Sequence, residues 1–422
     1  MASDLIVATY WIETPIALEK AAEIIAGEQS SGTFVSVPGE TSELRFRHRA
    51  QVLEIEPIEG VERPSLPGST PVAAWNDRTF QRARIRVAFP IENMGCNIPV
   101  LMSTVCGNLY ELSQLSGIRL MDLELPEVFA KRYPGPQFGI EGTRRLCDVW
   151  DRPLIGTIIK PSVGLTPEQT AAIVRELLEG GIDFIKDDEL MANPPHSPLK
   201  KRVDCVMREV SRHADATGRQ AMVAFNITDE VDAMKEHHDD VLRAGGTCVM
   251  ASINHVGLTG ISALRKYCQL PIHGHRNGWG MLTRFPGLGI EFRAYQKIWR
   301  AIGIDHLHIN GIQNKFWEPD DSVLRSLEAL REPLWTGYSV LPVISSGQWG
   351  GQAPETWRRG KTKDLLYLAG GGIMAHPAGI AGGVRAIRQA WDAACQGISL
   401  GDYARGHHEL RQSLDMFGKG RA

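Results

Sequence analysis

Two rhythms of apolar and polar positions divide the chain. Up to about residue 140, strand-like and helix-like stretches interleave without a steady period. "LIVATYWIE" (5–13), "AQVLEIEPIEGV" (50–61), "RIRVAFPI" (84–91) and "GIRLMDLELP" (117–126) are β-branched and alternating, which predicts strands. "PIALEKAAEIIAGEQ" (15–29) carries apolar residues at helical spacing and predicts a helix. Such a mixture predicts an α+β layer over residues 1–140. From Leu154 onward, short apolar runs recur at helix-sized intervals. They are "LIGTIIKPS" (154–162), "DFIKDDE" (183–189), "AMVAFNIT" (221–228) and "CVMASINH" (248–255), then "PIHGHRN" (271–277), "HLHING" (306–311), "LPVISSG" (341–347) and "LLYLAGGG" (365–372). Thr166-Pro167-Glu168-Gln169 is a capping box with proline at the first helical position, and Gly180-Gly181 ends that helix. Eight strand–helix units predict a (β/α)8 TIM barrel over residues 141–422, so the chain is α/β overall. A doubly wound open sheet is the competing arrangement, but it rarely uses units so regular.

Polar side chains end these runs. Lys160 ends the first, and Lys186, Asp188 and Glu189 the second. His273, His275 and Arg276 end the fifth, and His306 and His308 the sixth. Ser345, Ser346 and Gly347 end the seventh, and Gly370, Gly371 and Gly372 the eighth. Barrel enzymes place their chemistry at the C-terminal ends of the strands, so one rim is expected to be the site.

Within "GGIDFIKDDEL" (180–190), alternation puts Lys186 and Asp188 on one face and Asp187 on the other, while Glu189 can turn inward where the strand breaks. Carboxylates of this kind suit Mg²⁺, which takes hard oxygen ligands. A lysine ammonium is no ligand, but a neutral amine that takes up CO₂ becomes a carbamate with an anionic oxygen. Taken alone, "KDDE" reads more simply as a solvated charge run or a Lys186–Asp188 ion pair. Its place among other polar strand ends favours a metal site. The two H-x-H pairs put His273 with His275, and His306 with His308, on common faces. They could be zinc ligands, or they could serve acid–base and substrate-binding roles. The glycine-rich turns after the last two runs expose backbone N–H groups where this fold binds phosphate, and Arg276 offers a second anion contact or an ordinary salt bridge.

Composition narrows the class without changing the picture. The 422 residues carry a net charge of −3, with 43% hydrophobic and 23% charged residues. No basic surface argues for nucleic acid, and no apolar run approaches membrane-spanning length. Asp4 and Glu13 flank the opening apolar run, which does not read as a signal peptide. Seven scattered cysteines suit a reducing compartment, so a cytoplasmic enzyme with a small-molecule substrate is expected.

Assembled in this way, the chain resembles the large subunit of ribulose-bisphosphate carboxylase (RuBisCO), and more closely its RuBisCO-like (form IV type) relatives, over nearly its whole length. The resemblance implies a ferredoxin-like α+β domain ahead of the barrel. "GGIDFIKDDE" matches the family's metal segment, implying a carbamylated Lys186 with Asp188 and Glu189 as the other Mg²⁺ ligands. "IIKPSVG" implies that Lys160 handles protons at the enolised carbons. His275, Arg276 and His308 match rim residues, and Lys315 in "NGIQNKFWEP" matches the mobile-loop lysine that steadies a carboxylate. Ser346, Gly347, Gly370 and Gly371 match substrate and phosphate contacts. Glu28 and Thr33 in "GEQSSGTF", and Asn108 in "CGNLYE", match residues that reach a partner subunit's active site. That implies a homodimer or larger homo-oligomer with shared sites.

The departures from the carboxylase pattern point away from carboxylation of ribulose bisphosphate. Ser162 stands at the second lysine of KPKxG, Ile158 at a threonine, Phe34 at a tryptophan and Gln348 at a glycine. The carboxylase wording around Lys315 and the longer closing tail are also expected to be missing. Methylthio-sugar enolases carry a lysine at the position of Asn108 and lack the mobile-loop lysine, the reverse of this chain. The resemblance is nearest to the branch in which 3-oxo-isoapionate 4-phosphate is decarboxylated or processed by transcarboxylation and hydrolysis. The expected activity is therefore a Mg²⁺-dependent carboxy-lyase working through an enediolate on a phosphorylated 3-oxo sugar acid. The alternatives are a transcarboxylase/hydrolase on the same substrate, an enolase or isomerase of another ketose phosphate such as a methylthio-sugar phosphate, a true ribulose-bisphosphate carboxylase as the less favoured reading, and a catalytically dead regulatory barrel.

Overall fold

The computed structural model describes residues 5–32, 37–66 and 79–418. In chain order its strands are β1 (Leu5–Thr14), β2 (Gln51–Val61), β3 (Phe80–Pro90), β4 (Gly117–Glu124), β5 (Leu154–Ile158), β6 (Phe184–Lys186) and β7 (Met222–Asn226). They continue with β8 (Cys248–Ser252), β9 (Ile272–His275), β10 (Leu288–Ile290), β11 (His306–His308), β12 (Leu341–Ile344) and β13 (Leu366–Leu368). The chain forms two compact units, Met1–Pro134 with Gly278–Ala301, and Gly135–Asn277 with Ile302–Ala422.

The first unit is built on a sheet of order β10-β4-β1-β3-β2. β1 is antiparallel to β3 and β4, and β2 is antiparallel to β3. With helix Leu18–Glu28 linking β1 to β2 and helix Ile98–Val105 lying between β3 and β4, this is the ferredoxin-like arrangement. Alternation explains β1: Ile6, Ala8, Tyr10 and Ile12 are fully buried on one face. Helix Leu18–Glu28 buries Leu18, Ala21, Ala22, Ile25 and Ala26, a stripe at helical spacing that covers the sheet's apolar side. The short β10, parallel to β4, has no counterpart among the predicted strands. Its segment is held by Arg119 of β4, whose guanidinium donates to the carbonyl oxygens of Thr283, Phe285 and Leu288 and pairs with Glu291.

The second unit is a closed barrel of eight parallel strands, ordered β11-β12-β13-β5-β6-β7-β8-β9. Each predicted run supplies one strand, generally shorter than the apolar run because the polar residues at its end leave the ladder. Leu154, Phe184, Met222, Met250, Val343 and Leu368 belong to one buried cluster drawn from successive strands. Helix Pro167–Glu179 shows the predicted capping box, Thr166 accepting from the Gln169 amide and Gln169 returning a bond to the Thr166 backbone. Its C-cap is Gly180. Among the described residues no helix is long and apolar enough to cross a membrane. None of the seven cysteines forms a disulfide.

Candidate active site at the barrel mouth

The end of strand β6 and the turn after it carry four charges, Lys186, Asp187, Asp188 and Glu189, into different surroundings. Asp187 turns to the outer face, where its Oδ2 accepts from Arg202 Nη2 at 3.1 Å and from the Asn226 amide at 3.1 Å. Arg202 is wholly buried and also donates to the carbonyl oxygens of Ser197, Met191 and Ala192, so this ion pair is fully hydrogen-bonded. Asp187 is therefore structural. Asp188 points the other way and takes the Lys160 ammonium at 2.5 Å. Burial opposes its charge, but the Lys160 hydrogen bond and charge outweigh burial and hold the carboxyl below its ordinary range. Lys160 also donates to Ser162 Oγ at 2.7 Å. Serine at that position thus supplies an acceptor for Lys160 where a second ammonium would repel it. Asn226 Nδ2 clamps the turn by donating to the Asp188 and Glu189 carbonyl oxygens at 3.2 and 3.1 Å.

Lys186 is the exception. Its side chain is fully buried, its Nζ has no hydrogen-bond partner, and its nearest carboxylate oxygen is Glu189 Oε2 at 3.7 Å. Burial is the largest influence on this amine and lowers its pKa, against the pull of Glu189, Asp188 and Asp187. An orphaned buried amine costs about 1–3 kcal/mol or more and is rare in folded proteins. A buried amine whose charged form is disfavoured, flanked by two carboxylates, is the chemistry that CO₂ capture and a hard cation require. Lys186, Asp188 and Glu189 therefore fit a carbamate and Mg²⁺.

The histidines gather beside this cluster. His275 Nε2 lies 3.6 Å from Glu189 Oε2, and burial, reinforced by the Lys186 charge, pulls its pKa down to about 4. His308 is stacked edge-on against both His275 and His273. His273 and His306 sit lower in the barrel, and the His273 ring bonds to His306 through Nδ1 and to His308 through Nε2. Among the described residues no group of three or more His, Cys, Asp or Glu side chains is arranged to hold a metal. The ring nitrogens of His273, His306 and His308 are already engaged, with one another and with Thr143 and Ser345.

The loop after β11 closes the arrangement. Arg276 Nη2 meets Glu318 Oε2 at 3.2 Å, both side chains buried. Asn310 Nδ2 donates to the same oxygen at 2.5 Å, Ser322 Oγ donates to Glu318 Oε1, and Ser346 Oγ donates to Asn310 Oδ1 at 2.7 Å. Lys315 is exposed, and its amide donates to the Ser346 carbonyl at 3.1 Å. Ser346 and Gly347 both adopt left-handed backbone, which turns this segment sharply toward the Lys315 loop. Gln348, buried where the carboxylases carry glycine, donates from Nε2 to the Ile312 carbonyl and so ties the two loops. A Cβ on Gly370 would come within 3.9 Å of Lys160 Cε, so β13 and β5 converge there. Gly371 has open space around it.

Lys160, Lys186, Asp188, Glu189, His275, Arg276, His308, Lys315, Ser346, Gly347, Gly370 and Gly371 thus all lie in the barrel unit, on the strand ends or the loops that follow them. Glu28 and Asn108 lie in the first unit, exposed at the end of helix Leu18–Glu28 and at the start of the 3₁₀ turn Asn108–Glu111. Thr33 and Phe34 lie outside the described residues. Glu318, Asn310 and Asn226 went unsingled in the sequence. A lone Glu or Asn beyond a strand end carries no local signal, because its partners are brought by other strands.

A (β/α)8 barrel with this lysine–carboxylate cluster at its mouth, following a ferredoxin-like domain, defines a class. Residues 2–129 match the ribulose bisphosphate carboxylase large chain N-terminal domain, and residues 139–417 match its catalytic domain. The chain belongs to the RuBisCO large-chain family. It is 49% identical over 420 residues to a 3-oxo-isoapionate-4-phosphate decarboxylase of Rhizobium etli, covering 99% of this chain and 100% of the relative. It is 50% identical over 417 residues to a 3-oxo-isoapionate-4-phosphate transcarboxylase/hydrolase of Xanthobacter autotrophicus, covering 98% and 100%. Among solved structures, a rubisco-like protein from Burkholderia fungorum superposes with a TM-score of 0.90 at 48% identity, covering 98% of this chain and 100% of that one.

Proposed function

We propose that the protein is a Mg²⁺-dependent carboxy-lyase that decarboxylates 3-oxo-isoapionate 4-phosphate through an enediolate, with CO₂ carried as a carbamate on Lys186. The observation that carries this reading is the buried Lys186 amine, which makes no hydrogen bond beside Asp188 and Glu189. The names and full-length identity of the two bacterial relatives support the substrate. When bound, the ion supplies Lewis-acid stabilisation of the negative charge that develops on substrate oxygens as the carboxylate leaves.

The chain's own residues do the rest. Lys186, Asp188 and Glu189 would hold the ion. Lys160, whose ammonium donates to Asp188, would protonate the enediolate carbon. The same ammonium donates to Ser162. His275 and His308, whose burial disfavours the charged form, act as neutral hydrogen-bonding groups at the rim. Arg276 and the backbone N–H groups around Ser346, Gly347, Gly370 and Gly371 bind anionic oxygens, and such remote binding orients the reacting carbons. Lys315 holds the carboxylate before it departs. Glu28, Thr33 and Asn108 act in the site of a partner subunit, which makes the working form a cytoplasmic homodimer or larger homo-oligomer. A transcarboxylase/hydrolase is the second reading, favoured by Lys315 and by the Xanthobacter relative.

Carboxyl-¹³C-labelled 3-oxo-isoapionate 4-phosphate, incubated with the protein, Mg²⁺ and bicarbonate, separates these readings. Decarboxylation delivers the label to CO₂ and bicarbonate, whereas transcarboxylation keeps it in a non-volatile acid. An unconsumed substrate refutes both. Mixing inactive Lys186→Ala and Asn108→Ala subunits should restore part of the activity if the site is shared.

A further inference from the structure

Five side chains form an unbroken hydrogen-bond chain through the barrel. Thr143 Oγ1 lies 2.8 Å from His306 Nε2, and His306 Nδ1 lies 3.2 Å from His273 Nδ1. His273 Nε2 is 2.7 Å from His308 Nε2, and His308 Nδ1 is 3.2 Å from Ser345 Oγ. All five are buried. Every ring nitrogen of the three histidines is used within the chain, and four contacts need four hydrogens. Three neutral imidazoles bring one hydrogen each, so one terminal hydroxyl must bring the fourth.

Thr143 cannot do so, because its hydroxyl donates to the Gly139 carbonyl one turn back in helix Gly139–Cys147. Its oxygen is then an acceptor for His306. The direction follows link by link. His306 carries its hydrogen on Nε2, His273 on Nδ1 and His308 on Nε2, and Ser345 donates to His308 Nδ1 at 3.2 Å rather than to the more distant Ile309 carbonyl at 3.5 Å. Burial supports three neutral rings: it pulls His306 down to about 3 and holds His273 and His308 well below their ordinary value. The inner end stops at a backbone carbonyl, which has no proton to give, so the chain carries direction but passes no net proton.

We propose that Thr143, His306 and His273 are positioning residues that set the tautomer of His308 from the opposite end of the barrel, making its Nδ1 an acceptor at the mouth. Ser345 then keeps its hydrogen turned toward His308 and presents only lone pairs to a ligand. This deepens the proposed site and depends on that reading only for its kinetic consequence.

The test is ¹⁵N NMR of the histidine rings in the full-length protein with [¹⁵N]histidine, assigned by single His→Gln replacements. The expected result is protonated Nε2 on His308 and His306 and protonated Nδ1 on His273. The opposite set, or a cationic ring among the three, overturns the proposal, whether or not any substrate is turned over. Thr143→Val removes the acceptor that sets the direction. His308 should then shift to the Nδ1–H form, with kcat lower by about tenfold and KM little changed, as for other orienting partners of functional groups. Thr143→Ser should restore both. A Thr143→Val protein that folds and keeps the original tautomers also overturns it.

Discussion

Two polar clusters lie inside one barrel, and they are built on opposite terms. The Thr143–His306–His273–His308–Ser345 chain uses every ring nitrogen it contains. The cluster at the end of β6 leaves the Lys186 amine buried with no hydrogen bond. Buried polar groups are costly unless satisfied, so a closed network serves rigidity and orientation, while an orphan marks a place that a ligand completes. Even at the end of β6 the contrast recurs. Asp187, locked to Arg202, belongs with the closed kind, and Asp188, one residue on, is held by Lys160 at the mouth.

That contrast can be broken most sharply at Lys186. Lys186→Met should lower turnover of the phosphorylated 3-oxo acid by about a thousandfold or more, since several kcal/mol of charge stabilisation go with the ion. The thermal midpoint should hold or rise, because an apolar side chain replaces a desolvated amine. Arg202→Met tests the closed kind. It strands the Asp187 carboxylate in the interior and should cost about 3–5 kcal/mol in urea unfolding.

Acid should act through the histidine chain. His306 titrates near about 3 in the fold because of burial, against about 6.5 in the unfolded chain. Below about pH 6.5 the unfolded state therefore binds a proton that the fold refuses, and stability falls as pH drops toward 3. At about pH 5 this ring alone should remove about 2 kcal/mol relative to neutrality, and His306→Gln should flatten that slope in urea titrations. The smallest effect is expected at the loop tie. Gln348→Gly loses the hydrogen bond to the Ile312 carbonyl, worth about 1 kcal/mol, and should raise KM a few-fold with kcat less changed.

Much of this is legible in the sequence. The eight apolar runs, the Thr166 capping box and the polar residues at the run ends are short-range patterns, and each predicted run became a strand of the barrel. The opposed faces of Asp187 and Asp188 followed from strand alternation alone. Three features were not legible. β10 joins the first unit's sheet through Arg119, whose partners lie more than 160 residues away. Ser162 looked like a lost lysine until its contact with Lys160 showed an acceptor. Glu318 is an unremarked loop glutamate until β9 and β11 bring Arg276 and Asn310 to it.

Periodicity, capping and the order of residue types are properties of neighbours along the chain, and they determined the barrel, the α+β layer and the rim where chemistry collects. Which side chain is satisfied and which is left wanting depends on atoms contributed by different strands. Only closure of the barrel decided that Lys186 is enclosed without a hydrogen bond, that Lys160 holds Asp188, and which way the histidine hydrogens point. Burial and hydrogen bonding are set by three-dimensional neighbours, and a linear pattern does not contain them.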